Sequence, residues 1–169
     1  MTLVQVTIGD ETTEFWFCEE NEHNLIGLLS NMEAECKQGQ HESPELVAGL
    51  VSYLLRSSES ADELWSNVFG SEGESMEWWD AQHFKDGADW DKIGRVYMEC
   101  CDPDDPTAMP ISKEFGIYEV AQAFALAIVK GYRDACTGKR FTLNSVEEMD
   151  ACSSDVVMQI AVLGDVVYG

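Results

Sequence analysis

Positive charge is what this sequence lacks most. Ten Lys and Arg stand against 32 Asp and Glu, a formal net charge of −22. Residues 1–84 hold two bases, Lys37 and Arg56, among 17 acids, a net of −15. Residues 85–169 hold eight bases and 15 acids, a net of −7. Direct binding to nucleic acid needs clustered Lys and Arg to neutralise phosphates, so the shortage argues against it. The same charge repels an anionic membrane surface.

Other absences narrow the chemistry. There is no Cys-x-x-Cys pair, and His23, His41 and His83 are scattered, so no zinc signature is present. Neither Gly-x-x-x-x-Gly-Lys nor Gly-x-Gly-x-x-Gly occurs, which removes the usual backbone cradles for phosphate. No glycine-flanked nucleophile elbow is found. No apolar run reaches the ~18 residues of a membrane span. The start, Met1 to Val6, has no basic segment followed by a long apolar run, so it does not read as a secretory signal. These features predict a cytoplasmic protein. Its six cysteines, Cys18, Cys36, Cys100, Cys101, Cys136 and Cys152, are then expected as free thiols, several packed as small hydrophobes. No catalytic residue, metal or cofactor is expected.

What is present is enough for a core. The 169 residues are 45% hydrophobic and 10% aromatic, too apolar for a disordered tail and of single-domain length, so residues 1–169 are expected as one domain. The patterning predicts an α+β fold: an N-terminal β-hairpin plus one or two further short strands, packed against about five helices. Val4, Val6 and Ile8 alternate within 3–8, residues 13–18 are aromatic and β-prone, and Gly9–Thr12 forms a four-residue loop between them. Helical spacing covers 24–37. Ser43-Pro44-Glu45 starts a second helix, and Ser60–Glu63 reads as a capping box that opens a third, ended by Gly70. A short helix is expected near 75–84, a strand at 93–100, and a turn-rich connection with Pro103, Pro106 and Pro110 at 102–114. The apolar stretch 117–136 is expected as the buried central helix. Arg140–Leu143 reads as a short strand and Ser145–Glu148 as a second capping box. Val146, Met149, Val156, Ile160 and Leu163 would share one face of a last helix, although Ser153-Ser154-Asp155 could restart it.

Each candidate site has a plainer reading beside it. Asp102, Asp104 and Asp105 share one loop, and Asp86, Asp89 and Asp91 another. Oxygen-rich loops can hold Ca²⁺, but neither fits the EF-hand spacing, and solvated acidic loops explain both. With 32 acids, neighbouring carboxylates are uninformative about acid–base catalysis. A Cys–His pair cannot be placed from sequence, and inert thiols are the plainer reading. The most suggestive stretch interleaves Trp78, Trp79 and Trp90 with Glu72, Glu74, Glu77, Asp80, Asp86, Asp89 and Asp91. An acid-flanked aromatic patch suits a basic partner, while the plainer reading buries these rings in the core. The charge too has plain readings: a halophile's solvation shell, simple solubility, or acids spread evenly over the surface.

The charge points to a class of partner. A negative face attracts proteins that bind nucleic acid, because rows of carboxylates can take the place of phosphates in a basic groove. The sequence therefore predicts a non-enzymatic acidic inhibitor, a DNA mimic of the anti-defence type that blocks restriction or CRISPR effectors. Its contact surface would comprise Glu59, Asp62, Glu63, Glu72, Glu74, Glu77, Trp78, Trp79, Asp80, Asp86, Asp89, Trp90 and Asp91. Its partner would be a basic nuclease or other nucleic-acid-binding protein, and a homodimer stays open. The alternatives are an immunity protein against a basic nuclease toxin, an interaction subunit of a larger assembly, and a small hydrolase or metal-dependent enzyme whose site is assembled only in three dimensions.

Overall fold

The first 17 residues fold back on themselves. In the computed structural model, β1 (Thr2–Ile8) pairs antiparallel with β2 (Glu11–Phe17), with Ile8 opposite Glu11 and Thr2 opposite Phe17. The model describes residues 2–8, 11–17, 26–27, 30, 44–69, 79–80, 93–100, 107, 109 and 111–168. The pairing leaves two residues, Gly9 and Asp10, between the strands, so the expected four-residue loop is corrected to two. Thr12 and Glu11 continue the ladder instead of turning. Phe15 is buried and joins the hairpin to the core. Thr13 Oγ1 donates to Asn144 Oδ1 at 2.9 Å and holds the hairpin to a turn far along the chain.

Four α-helices lie among the described residues, fewer than the five or so expected from sequence. They are α1 (Pro44–Ser57), α2 (Ser60–Phe69), α3 (Ile117–Lys130) and α4 (Ala151–Leu163). Of the helix expected at 24–37, Ile26, Gly27 and Ser30 are helical and the rest lies outside the described residues. Proline opens α1 as predicted, since the first turn has no partner for an N–H. Ala48, Val51, Leu54 and Leu55 bury one face of it. The helix α2 takes in Ser60, the expected cap, as its first residue, so it starts one position earlier than expected, and it ends at Phe69 before Gly70. Ala61, Leu64, Trp65 and Val68 face inward from α2.

The central helix is α3, which packs against α1, α2, α4 and strand β5 (Ile111–Gly116). Val120, Ala121, Ala123, Phe124, Ala125 and Ala127 are buried. Four of these six are alanines, so neighbouring helices can approach closely. The prediction that this helix is buried holds, but its end at 136 does not. Gly131 adopts φ 71°, its N–H donates to Ile128 O, and the N–H of Tyr132 reaches Ala127 O. This is a Schellman termination, for which glycine is the residue without a Cβ penalty.

A second sheet has the order β3-β4-β5, all antiparallel. Its strands are β3 (Trp79–Asp80), β4 (Arg95–Cys100) and β5. The expected strand at 93–100 is present from Arg95 onward. Two expectations fail here. Trp79 and Asp80 pair with Cys100 and Glu99, so these two residues are strand, not helix; the rest of 75–84 lies outside the described residues. The supposed turn region 102–114 ends in strand from Ile111, because each residue of 111–116 is paired with β4. The ammonium of Lys113 also hydrogen-bonds Ala161 O, which ties β5 to α4.

The C-terminal third departs most from its pattern. Arg140 makes an isolated bridge with Arg133 and not a strand, and Leu143–Val146 is a 3-10 turn. The box pairs Thr142 with Ser145 and not Ser145 with Glu148. Ser145 Oγ accepts the N–H of Thr142 at 2.9 Å, and Asp150 caps α4 by accepting the N–H of Ser153 at 2.9 Å. From Ser153 to Val162 only Asp155 is not fully buried, so α4 is covered nearly all round instead of on one face. Gln159 is fully buried within it, and all four of its hydrogen-bonding positions are used. Its Oε1 accepts the N–H groups of Val167 and Tyr168, both at 2.7 Å. Its Nε2 donates to Tyr168 O at 2.7 Å and to Asp155 Oδ2 at 2.8 Å.

Candidate functional site

The acids expected to contact a partner begin at the start of α2. Helical periodicity turns Ala61, Leu64 and Trp65 inward and leaves Glu59, Asp62 and Glu63 exposed beside one another. Asp62 and Glu63 lie in the first turn, where the helix N-terminus favours negative charge. The nearby base, Arg56, is stacked on tyrosine. Its guanidinium lies 5.3 Å from the Tyr53 ring centre and 5.0 Å from that of Tyr118, which joins the end of α1 to the start of α3. Of the other predicted contact residues, Trp79 and Asp80 form β3. Glu72, Glu74, Glu77, Trp78, Asp86, Asp89, Trp90 and Asp91 lie outside the described residues. The acidic loop at 102–105 does too.

A second, unexpected polar site forms where the chain leaves α3. Between Gly131 and Phe141 the backbone closes on itself: Asp134 N donates to Lys139 O, Gly138 N to Asp134 O, and Phe141 N to Tyr132 O. Gly138 takes φ 69° at the tip. This fold turns Asp134 inward, where it is 7% exposed. Its carboxylate accepts the Thr137 N–H at 2.5 Å and the Ser153 hydroxyl at 2.6 Å. Burial pushes the Asp134 pKa up, but hydrogen bonds from Ser153, Thr137 and Cys136 together outweigh it and hold the group below the usual carboxylate value. A pocket of about 50 Å³ opens beside this pair, lined by Asp134, Arg140, Ser145, Asp150 and Ser153 among others. That volume suits a water or two, whereas ligand sites run to about 300–1,000 Å³. Asp134 therefore serves here to fasten the loop to α4.

The depressed pKa has a consequence in acid. Asp134 contributes stability that is fully present above its unfolded value of about 3.9 and is lost as pH falls through its lower folded value. Replacing Asp134 with Asn is expected to lower stability at neutral pH by about 1.5–3 kcal/mol, the range for hydrogen bonds to a charged group. The difference from wild type should stay constant above about pH 5 and shrink below about pH 4. Urea titrations across this range check it, and a gap that widens toward acid would contradict the assignment.

Two of the six cysteines correct the expectation of free thiols, while Cys18, Cys36 and Cys101 lie outside the described residues. Cys136, at the loop tip, is bonded to Cys152 on α4 across 16 positions of sequence, with Cα atoms 5.9 Å apart. Neither is a core residue: Cys136 is exposed and Cys152 half-buried. The same loop gathers charge of the other sign. Lys130, Arg133, Lys139 and Arg140 are all exposed, and they are four of the chain's ten bases. In the sequence these four bases fall within eleven residues, a local excess that the net charge of −7 for residues 85–169 conceals. Lys139 meets Glu148 at 3.5 Å, an exposed pair of small energetic effect.

Among the described residues, no group of three His, Cys, Asp or Glu side chains is placed to hold a metal ion. Nor, among them, is any helix long and apolar enough to cross a membrane. No protein-family model matches the chain, and neither a curated protein nor a solved structure matches it.

Proposed function

We propose that the protein is a non-enzymatic, acidic inhibitor acting in the cytoplasm, which occupies the basic, nucleic-acid-binding surface of a partner protein. The observation that carries the reading is the charge: −22 overall, with two bases among the first 84 residues. One of those two, Arg56, lies against the Tyr53 and Tyr118 rings and keeps its charge, but a single cation offsets little of the 17 acids in this half. Exposed carboxylates of Glu59, Asp62 and Glu63 supply a first cluster of phosphate substitutes, and the acids of 72–91 extend the set. Long-range attraction of this kind speeds encounter and weakens with salt. Anti-defence inhibition and neutralisation of a basic nuclease toxin use the same surface chemistry. A toxin gene directly beside this one would favour the second.

The test is capture of bound protein from the native host at low salt, followed by affinity measurement with charge-reversed variants. The triple change Glu59→Lys, Asp62→Lys, Glu63→Lys is expected to leave the fold intact, since all three side chains are exposed. It should weaken binding at least about tenfold and flatten the dependence on salt. An unchanged affinity and salt slope would remove α2 from the contact surface. If reversal of Glu72, Glu74, Glu77 and Asp80 were also silent, the electrostatic reading itself would fail.

A further inference from the structure

We propose that Cys136–Cys152 is a thiol–disulfide exchange site, a reversible latch between the basic loop 131–141 and the start of α4. Access is the first argument. A disulfide sealed in a core is shielded from reagents, but Cys136 is exposed at a loop tip and only Cys152 is half-buried. Thiolate attack is governed by which sulfur can be reached and by how well the other one leaves. Attack therefore falls on Cys136 Sγ. The departing Cys152 is the second residue of α4, where a helix N-terminus favours a thiolate. Asp150 and Asp134 oppose that effect nearby. Arg133, Lys139 and Arg140 are exposed on the loop and draw an anionic thiol toward a protein that otherwise repels anions.

The second argument is what remains when the bond is open. The loop keeps its own backbone hydrogen bonds, Asp134 still accepts from Ser153, and Phe141 stays buried in the core. These contacts hold the two thiols near one another after reduction, so closure is intramolecular and the cycle can repeat. The first step forms a bond between the incoming sulfur and Cys136 Sγ, breaks the disulfide, and leaves the electron pair on Cys152, which takes a proton from water. A second thiolate attacks the reagent's sulfur in the mixed disulfide and frees Cys136. Two thiols are oxidised to one disulfide and the cystine gains two electrons. The reductant is a low-molecular-weight thiol or a dithiol protein, and its disulfide form closes the latch.

Glutathione and dithiothreitol are the probes, applied to the folded full-length protein without denaturant. After an alkylating quench, peptide mass mapping reads each cysteine. The expected result is stoichiometric labelling of Cys136 and Cys152 with an unchanged far-UV spectrum, reversed by oxidised glutathione. Amides of 132–141 should exchange at least about tenfold faster in the reduced protein, with those of 120–127 unchanged. In the Cys152→Ser variant, oxidised glutathione should form its adduct on Cys136. Reduction seen only in denaturant would overturn the proposal by making the bond a fixed staple. So would loss of helical signal on reduction, or two free thiols after incubation with oxidised glutathione.

Discussion

Replacing Phe124 with alanine is expected to destabilise the protein by about 3–5 kcal/mol, a large part of the roughly 5–15 kcal/mol that holds a typical domain together. Phe124 is fully buried at the middle of α3, the helix that touches α1, α2 and α4. Its neighbours three positions away on the helix, Ala121 and Ala127, are too small to fill the void. Its ring meets Phe141 edge to face, with centroids 5.8 Å apart at 83°. A double-mutant cycle with Phe141→Ala should return a coupling of about 0.5–1.5 kcal/mol, the part that belongs to the ring pair beyond burial. Urea unfolding followed by circular dichroism measures both, and a loss under about 1 kcal/mol for Phe124→Ala would show that the core collapses around the site.

The second large effect is expected at Gln159. Leucine there would match its size roughly while removing two acceptor and two donor contacts at once. The N–H groups of Val167 and Tyr168 and the carbonyl of Tyr168 would lose their partner. Each buried polar group left unmatched costs about 1–3 kcal/mol, but the tail at 165–168 can lift into water and hydrate. The loss is then set by the packing of Val166 and Tyr168 against the core. A cost of about 2–4 kcal/mol is expected for Gln159→Leu. Hydrogen exchange distinguishes this from general weakening: the Val167 and Tyr168 amides should lose protection before those of α3 do. Uniform loss across both would contradict the tail-anchoring role.

The parts of this structure that were legible from sequence are those where one local pattern decides. Alternation at Val4, Val6 and Ile8 gives β1, and Ser43-Pro44 gives the start of α1. The alanine-rich run after Ile117 gives a buried helix, and Lys130-Gly131 even carried its stop signal, which the apolar pattern beyond it obscured. Strand β5 was missed for a different reason. Ser112, Lys113 and Glu114 have weak β preference, and their ladder with β4 comes from a partner that local reading does not include.

The loop site was illegible because its geometry is long-range. Asp134 and Ser153 stand 19 residues apart, and Cys136 and Cys152 16 apart. They meet only because Gly131 ends one helix, Gly138 reverses the chain and Asp150 begins the next helix. The candidate acids of α2 were legible because helical spacing alone separates Asp62 and Glu63 from Leu64 and Trp65.

The basic loop bears on how this molecule would meet another in solution. Four of the ten cations lie between Lys130 and Arg140 with Asp134 as the one acid among them, so this loop is locally positive on a chain of net charge −22. Were the proposed partner to present a positively charged groove, it would attract the protein as a whole while repelling this loop, turning the end of α3 away from the source. The molecule would then arrive already oriented, with the loop facing outward. Before any contact forms, the placement of a few lysines and arginines would have decided which side docks and which stays in water.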